Sequence, residues 1–549
     1  MPPSPRNPHP GGTVVEQART PRQQPSLARA GSTMAIATII SRITGLAAKV
    51  ALAAVLGLGM VNDSYTVANT LPTVVNELLL GGVLTSVAIP LLVRAQQTGP
   101  RAGDAYARWL ITTGGVLMAA ATLLAVATAP LLTTLYLGTN TPANTELTTA
   151  FAYLLLPAIL FYGLSALLSA ILNARHVFGP PAWAPVLNNL VVLATAATYA
   201  LMPGTISPDP VRMGEPKLLV LGIGTALGIA AQSLLVAHCL RRTGFRYRWN
   251  WGWDHRLGEF AALAGWVVLY TLISQLGMIV TTRVAAQGTE GGVATFTYAW
   301  LLTQVPYGVL GVSLLTALMP RLSRSATDDD PTEFIADLSL GTRTSAVLLL
   351  PISALMLTAG GPLGTAFLTL GDHDTATADR LGATIGACAL GIVPFAITML
   401  QLRAFYAMKD ARTPTAINLI MVLTRSALCY LFLATTDPDD LVIGVALAMS
   451  LSFVIGALAG QLWLTARLGP IGTRRSTLSL LRALTTTTAG CGCALAARTA
   501  LTSALDGAAA AWTALLIDGT LVLTIAYGGL LLLKAPELDP LRALLTRRR

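Results

Sequence analysis

Charge is what this sequence has least of. Lys, Arg, Asp and Glu make up 11% of its 549 residues, where soluble domains carry roughly 25%. With 54% hydrophobic residues and a mean hydropathy of +0.64, that scarcity excludes a soluble fold and predicts one polytopic membrane domain. Histidine and cysteine are equally sparse, at five each. Cys239, Cys388, Cys429, Cys491 and Cys493 fall in apolar segments without metal-ligand spacing, so they read as small buried hydrophobes; neither a zinc site nor a disulfide framework is expected. No P-loop, zinc signature or Ser-His-Asp arrangement is present, which leaves no basis for an enzyme, a metal or bound ATP. No apolar run precedes Thr33, so residues 1–30, rich in Pro, Arg and Gln, read as a disordered basic cytoplasmic tail and not as a cleaved signal peptide.

What the chain does have is long apolar segments, and they come in two sets of six. The first set lies at about 33–58, 62–93, 105–135, 145–173, 182–203 and 217–240, and the second near 257–286, 292–320, 333–360, 378–407, 413–435 and 441–466. Two more, at about 475–502 and 510–533, complete fourteen. The expected organisation is an N-terminal six-helix lobe at 31–248, a C-terminal one at 249–470, helices 13–14 at 471–535 and a cytoplasmic tail at 536–549. The net charge of +10 resides mostly in short loops that fall on one side, among them Arg94, Arg175, Arg241, Arg324, Arg412 and Arg474. That is the signature of membrane orientation and not of nucleic-acid binding; it predicts cytoplasmic N- and C-termini.

The two sets also resemble each other. GGVLTSVAIPLLVR at 81–94 matches GVSLLTALMPRLSR at 311–324, Leu71-Pro72 matches Val305-Pro306, and Pro157 precedes Arg175 by eighteen residues as Pro394 precedes Arg412. An even number of helices per repeat makes the lobes parallel, with substrate expected between them.

The stretch Thr33–Arg94 concentrates the chemistry. Arg42 and Lys49 are two helical turns apart on one face of the first apolar segment, with Gly45 between them. The second segment carries Pro72, a polar stripe of Thr66, Asn69, Thr73 and Asn76, and Glu77 beside it. A cation near a helix centre costs about 2.5–3.5 kcal/mol on insertion scales, so such residues usually face a wet interior. Pairing with Asp63 and Glu77, or snorkelling to a headgroup, is the alternative. In the second lobe Arg425 lies midway along its segment as the counterpart of Arg42, and Gln304 stands beside Pro306 where the repeat puts the polar stripe. Arg42, Lys49, Asn69, Asn76, Glu77, Gln304 and Arg425 are therefore the candidate cavity residues, with Gly45, Pro72 and Pro306 as hinges.

These residues carry a resemblance. Ser41-Arg42-x-x-Gly45, Leu56-Gly57-x-Gly59, Asp63, Leu71-Pro72 and Pro90 resemble the amino-terminal signature of MurJ/MviN proteins; residues 298–324 are similar to that family's eighth segment in its actinobacterial form, and FYAMKDARTP at 405–414 to its loop before helix eleven. The resemblance implies an all-α polytopic membrane protein of the MOP (MATE-like) type: fourteen helices, two parallel six-helix lobes around a cationic cavity, and helices 13–14 forming a lipid-tail groove. It implies flipping of lipid II, the undecaprenyl-pyrophosphate glycolipid of peptidoglycan biosynthesis, across the cytoplasmic membrane, with an ion gradient or membrane potential and no cofactor as the drive. Membrane lipids and cell-wall synthesis proteins are the implied partners. Three positions depart from the pattern: family arginines fall on Ala48, Asn76 and Leu301. Fewer cations then face a pyrophosphate. Either Lys49 and Arg425 compensate, or the chain moves a different lipid-linked or amphipathic substrate, as an exporter of drugs or lipid-linked oligosaccharide would. A non-transporting cell-wall scaffold is the third alternative.

Overall fold

A computed structural model describes residues 27–78, 89–138, 141–252, 261–327, 331–368, 375–501 and 507–539. Among them the chain is helical, with no strand. The first set comprises α1 (Leu27–Leu56), α2 (Met60–Asn76), α3 (Ile89–Thr98), α4 (Pro100–Ala127), α5 (Ala129–Leu137), α6 (Thr145–Leu155), α7 (Ala158–Ala174), α8 (Gly179–Leu201) and α9 (Pro216–Arg242). The second comprises α10 (Ala261–Ala285), α11 (Gly292–Pro306), α12 (Val312–Thr327), α13 (Pro331–Thr358), α14 (Gly360–Leu368), α15 (Thr375–Ala389), α16 (Ile392–Ala407), α17 (Arg412–Thr435) and α18 (Leu441–Leu468). Last come α19 (Thr473–Leu501) and α20 (Gly507–Leu532).

The described residues of each apolar stretch read from the sequence are mostly helical. Eleven of the helical runs are long and apolar enough to cross a membrane, or twelve when the bent pair α6–α7 counts as one span. The stretch of α2 and α3 does not reach that measure, with residues 79–88 (and so Gly81 and Gly82) outside the described residues. Neither does α19, which carries Arg474, Arg475, Arg482 and Arg498.

The repeat is visible as a repeated set of neighbours. α1 packs on α8 as α10 packs on α17, α4 on α7 as α13 on α16, α2 on α6 as α11 on α15, and α7 on α9 as α16 on α18. A matched side-chain clamp marks the relation: Asn189 of α8 donates to the Ser41 carbonyl (3.0 Å) and Thr44 Oγ1 (3.1 Å) of α1. Asn418 of α17 donates to the Tyr270 carbonyl (2.9 Å) and Ser274 Oγ (2.9 Å) of α10. Gly45, expected as a hinge, is where the Asn189 amide lies against α1.

The helices also break at matching places. α4 gives way to α5 at Thr128 and α13 to α14 at Ala359, each followed within three residues by Pro130 or Pro362, which suits a new helix start. α6 breaks from α7 at Leu156-Pro157 and α15 from α16 at Leu390-Gly391. The corners that follow turn on left-handed residues, His176 (φ 59°) and Lys409 (φ 59°). This corrects the eighteen-residue Pro–Arg spacing: Arg175 caps α7, whereas Arg412 begins α17, one corner later. Two other readings are corrected. α1 begins at Leu27, so residues 27–30 are helix and not tail, while 1–26 lie outside the described residues. Of the cysteines, Cys388, Cys429 and Cys491 are buried, but Cys239 is half-buried and Cys493 is exposed, because positions 491 and 493 point to different sides of α19.

The Lys409 corner carries a charge latch. Asp410 accepts from the Arg412 amide (3.0 Å), the Thr413 amide (3.1 Å) and the Thr413 hydroxyl (2.7 Å), and pairs with Arg467 at 2.9 Å. Partial burial alone would raise its carboxyl, yet these hydrogen bonds and the Arg467 charge hold it below the ordinary value. A depressed folded-state value means the latch stabilises fully above the unfolded value of about 3.9 and is lost as pH falls through the folded one. Asp410→Asn is therefore expected to cost about 1 kcal/mol. Thermal melts in detergent should show that loss unchanged from about pH 8 to pH 5 and shrinking only below about pH 4.

Candidate functional site

The two sets of helices meet along a seam where α2 packs on α11 and α5 on α10, with Gln275 of α10 reaching Glu77 and Arg42 of α1 reaching the turn after α11. Proline sets its geometry. Pro72 sits inside α2, and the following turn at Glu77 and Leu78 is π-helical. Pro306 ends α11, and Tyr307–Gly311 is a π-turn leading into α12. A proline removes one ladder donor, and a wider turn absorbs the mismatch; such bulges recur at functional sites. Both proline positions read as hinges therefore coincide with a local change of helix type in the same pair of repeat-related helices.

At one end the seam is sealed. Asp63, 1% exposed in the first turn of α2, accepts from the amides of Gly291 (2.8 Å) and Ala294 (2.7 Å) at the start of α11. A carboxylate there meets both the free donors and the positive end of that helix. Gly291 has φ 81° and packs against the Leu58 carbonyl, where no β-carbon fits. Thr141 Oγ1 donates to the Ala286 carbonyl at 2.5 Å, and Tyr298 Oη to Asn62 Oδ1 at 3.4 Å, closing the same end.

Midway along the seam the contacts change character. Arg42 lies fourteen residues before Leu56, about 21 Å from that sealed end of α1. Its Nη1 rests on Gly308, in the π-turn of the opposite lobe, leaving no room for a β-carbon. Arg42 is exposed and Lys49 half-buried. Neither has an ion pair among the described residues. The pairing alternative is thereby overturned: Asp63 is taken by α11, and Glu77 accepts from Gln275 Nε2 of α10 at 2.7 Å. Asn76 Oδ1 is buried with no partner among the described residues, and Asn69 and Gln304 are half-buried on α2 and α11. Thr73 of the polar stripe is engaged by Tyr162.

Arg425 is placed elsewhere. It lies between α17 and α10, against Gly277, on the face that also carries Asn418, and its Nε is buried without a partner among the described residues. The contact shown for its guanidinium lies within its own lobe, on Gly277 of α10. Two other arginines within the apolar helices are paired: Arg343 with Glu537 (3.0 Å) and Arg498 with Asp518 (3.0 Å). Ala48, at a position where the resembling family has arginine, is buried, while Lys49 beside it is half-exposed.

Sequence reasoning missed Gln275 and Gly291, and offered Asp63 only as an alternative partner of the two cations. Asp63 after Gly57-x-Gly59 is a readable helix-start signal. That it caps a helix 228 residues away is a property of packing and leaves no trace in spacing. The site offers the Arg42 guanidinium and the Lys49 ammonium, neither in an ion pair among the described residues, amide groups and a carboxylate on α2 and α11, and π-turns that follow the prolines of both helices. That set suits a large anionic group held between lobes that move.

Comparisons with known proteins agree with this geometry. The family model described as "Lipid II flippase MurJ" matches residues 52–509. A "Lipid II flippase MurJ" of Burkholderia cenocepacia is 25% identical over 438 residues, covering 78% of this chain and 83% of its own. A "Probable lipid II flippase MurJ" of Vibrio cholerae is 24% identical over 418 residues, covering 74% and 77%. Among solved structures, a lipid II flippase MurJ in an inward closed conformation superposes with a TM-score of 0.71 at 21% identity, covering 91% of this chain and 99% of that one. An inward-facing MATE multidrug transporter of the MOP superfamily gives 0.63 at 16% identity, covering 80% and 98%. At these identities the structures speak to the fold alone.

Proposed function

This chain belongs to the lipid II flippase MurJ family, and from that premise we propose that it carries a lipid-linked peptidoglycan precursor across the cytoplasmic membrane by alternating access. The observation that supports this most is Arg42: a cation at mid-depth on the seam between lobes, resting on Gly308 and without a carboxylate partner among the described residues. An unneutralised charge in a membrane interior is costly and finds its use in an anionic ligand. The undecaprenyl-pyrophosphate group supplies such an anion, and Lys49, Asn69, Asn76, Glu77 and Gln304 would line its path. With one end of the seam sealed through Asp63, the substrate enters from the opposite, cytoplasmic side. Transport is driven by an ion gradient or the membrane potential, without a cofactor, and the chain acts as a transporter and not as a catalyst. Cell-wall synthesis proteins are its proposed partners. Depleting the protein is expected to leave lipid II accumulated on the inner leaflet; an unchanged distribution between leaflets contradicts the proposal.

A second reading, an exporter of other amphipathic or lipid-linked cargo, draws on Ala48, Asn76 and Leu301, which stand where the family has arginine.

Both termini are proposed to be cytoplasmic. A cysteine placed at Asp209 or at Asp439, both exposed, should react with an impermeant thiol reagent in intact cells. Reaction at both positions only after permeabilisation inverts the orientation.

A further inference from the structure

Away from the seam, a pocket of about 540 Å³ opens where α13 and α19 begin. Its lining includes Arg343, Arg474 and Arg475, together with Ser339, Ile335 and Leu478. Arg343 is anchored: its Nη1 donates to Glu537 at 3.0 Å and its Nε to the Ser339 carbonyl at 3.3 Å, and Ser479 Oγ donates to the same Glu537 oxygen at 2.7 Å. Glu537 stands in the 3₁₀ turn Pro536–Leu538, so the start of the expected tail is docked here. Gly472, at φ 69°, brings the loop against Ser339 Oγ, where a β-carbon would be crowded. Arg474 and Arg475 are exposed and have no carboxylate partner among the described residues. Among the described residues, Arg343 alone of these three guanidinium groups is paired with a carboxylate, the buried Glu537.

Position decides what such a pocket holds. From Ala346 to Leu357 α13 carries no charge, so Arg343 sits where the hydrocarbon layer begins. On α19, Leu478, Leu481 and Leu484 are exposed, an apolar strip running from the pocket along the membrane-facing side. Guanidinium groups beside an apolar strip match a phosphate headgroup with its acyl chain, and the cytoplasmic leaflet is where anionic lipids attract basic residues.

We infer that the pocket between α13 and α19 binds the phosphate headgroup of a resident anionic phospholipid of the cytoplasmic leaflet, separate from the transported cargo. The test uses full-length protein in nanodiscs of phosphatidylglycerol and phosphatidylcholine, with retained lipids counted by native mass spectrometry. Wild type should retain phosphatidylglycerol over phosphatidylcholine. Arg474→Gln with Arg475→Gln should weaken that retention about thirtyfold, taking about 1 kcal/mol per arginine near a membrane surface. Arg241→Gln with Arg242→Gln, at the end of α9, should leave it unchanged; an equal loss in both double variants would reduce the effect to surface charge and overturn the site. Displacement by millimolar inorganic phosphate without any lipid preference would assign the pocket to a soluble anion instead. Asp328, Asp329 and Asp330 lie outside the described residues but precede α13 in the sequence. An arginine effect seen only after all three are changed to Asn would make that segment the occupant and overturn the inference.

Discussion

Arg42→Ala is expected to abolish transport while the protein still reaches the membrane at normal abundance. Removing a charge from within a membrane helix usually does two things: it loses the ligand contact and it strands a counter-charge. At Arg42 the second effect is missing, because no carboxylate is paired with it among the described residues. Stability should therefore change little, in contrast to Arg343→Ala or Arg498→Ala, which would leave the buried Glu537 or Asp518 without its arginine. The lost contact is a hydrogen bond between charged groups, worth about 1.5–3 kcal/mol, or roughly a tenfold to hundredfold loss of substrate affinity at constant protein level. Arg42→Lys should fall between, since an ammonium keeps the charge and loses the planar fork. Complementation and membrane abundance measured together decide the matter. Normal growth on Arg42→Ala at normal abundance ends the assignment.

Asp63→Asn should unlatch the sealed end of the seam. The carboxylate accepts two amides of α11 from across the lobe boundary. Asparagine keeps the shape but loses the charge, and its amide can accept through only one oxygen. A loss of about 2 kcal/mol is roughly a thirtyfold shift of the equilibrium toward the state open at that end. A cysteine at Thr66, one turn deeper on α2, reports it: labelling by an impermeant reagent should rise in the Asp63→Asn background. Unchanged labelling, with the variant folded and abundant, would mean that Asp63 only caps a helix. Transport should fall as well, because a carrier biased to one side spends its cycle there.

Much of this was legible before any coordinates, for a physical reason. In a bilayer the backbone must satisfy itself, so long apolar runs become helices whatever their neighbours, and loop charge fixes their sense. Arg42 stood out because a cation inside an apolar run is rare. The repeat was legible too, but imperfectly: the Pro157 and Pro394 match was a coincidence of spacing, since the second lobe breaks at Leu390-Gly391 with glycine doing what proline does in the first. Contacts between lobes were out of reach. Asp63 on α11, Glu77 on Gln275 and Arg42 on Gly308 each join residues more than 190 positions apart. Nothing in spacing or periodicity tells a capping carboxylate from a counter-ion. Arg425 shows the same limit from the other side. Mid-helix position placed it at the right depth, but only packing revealed that it faces Gly277 within its own lobe.

The central claim is that the seam binds an anionic lipid-linked headgroup, and binding to purified protein tests it most directly. In native mass spectrometry, a polyprenyl-pyrophosphate glycolipid should bind the wild-type protein, Lys49→Glu should weaken it, and lipophilic cations should compete poorly, because Arg42 and Lys49 repel them while Glu77 is already engaged. Binding of lipophilic cations without binding of the glycolipid would contradict the account and favour the exporter reading.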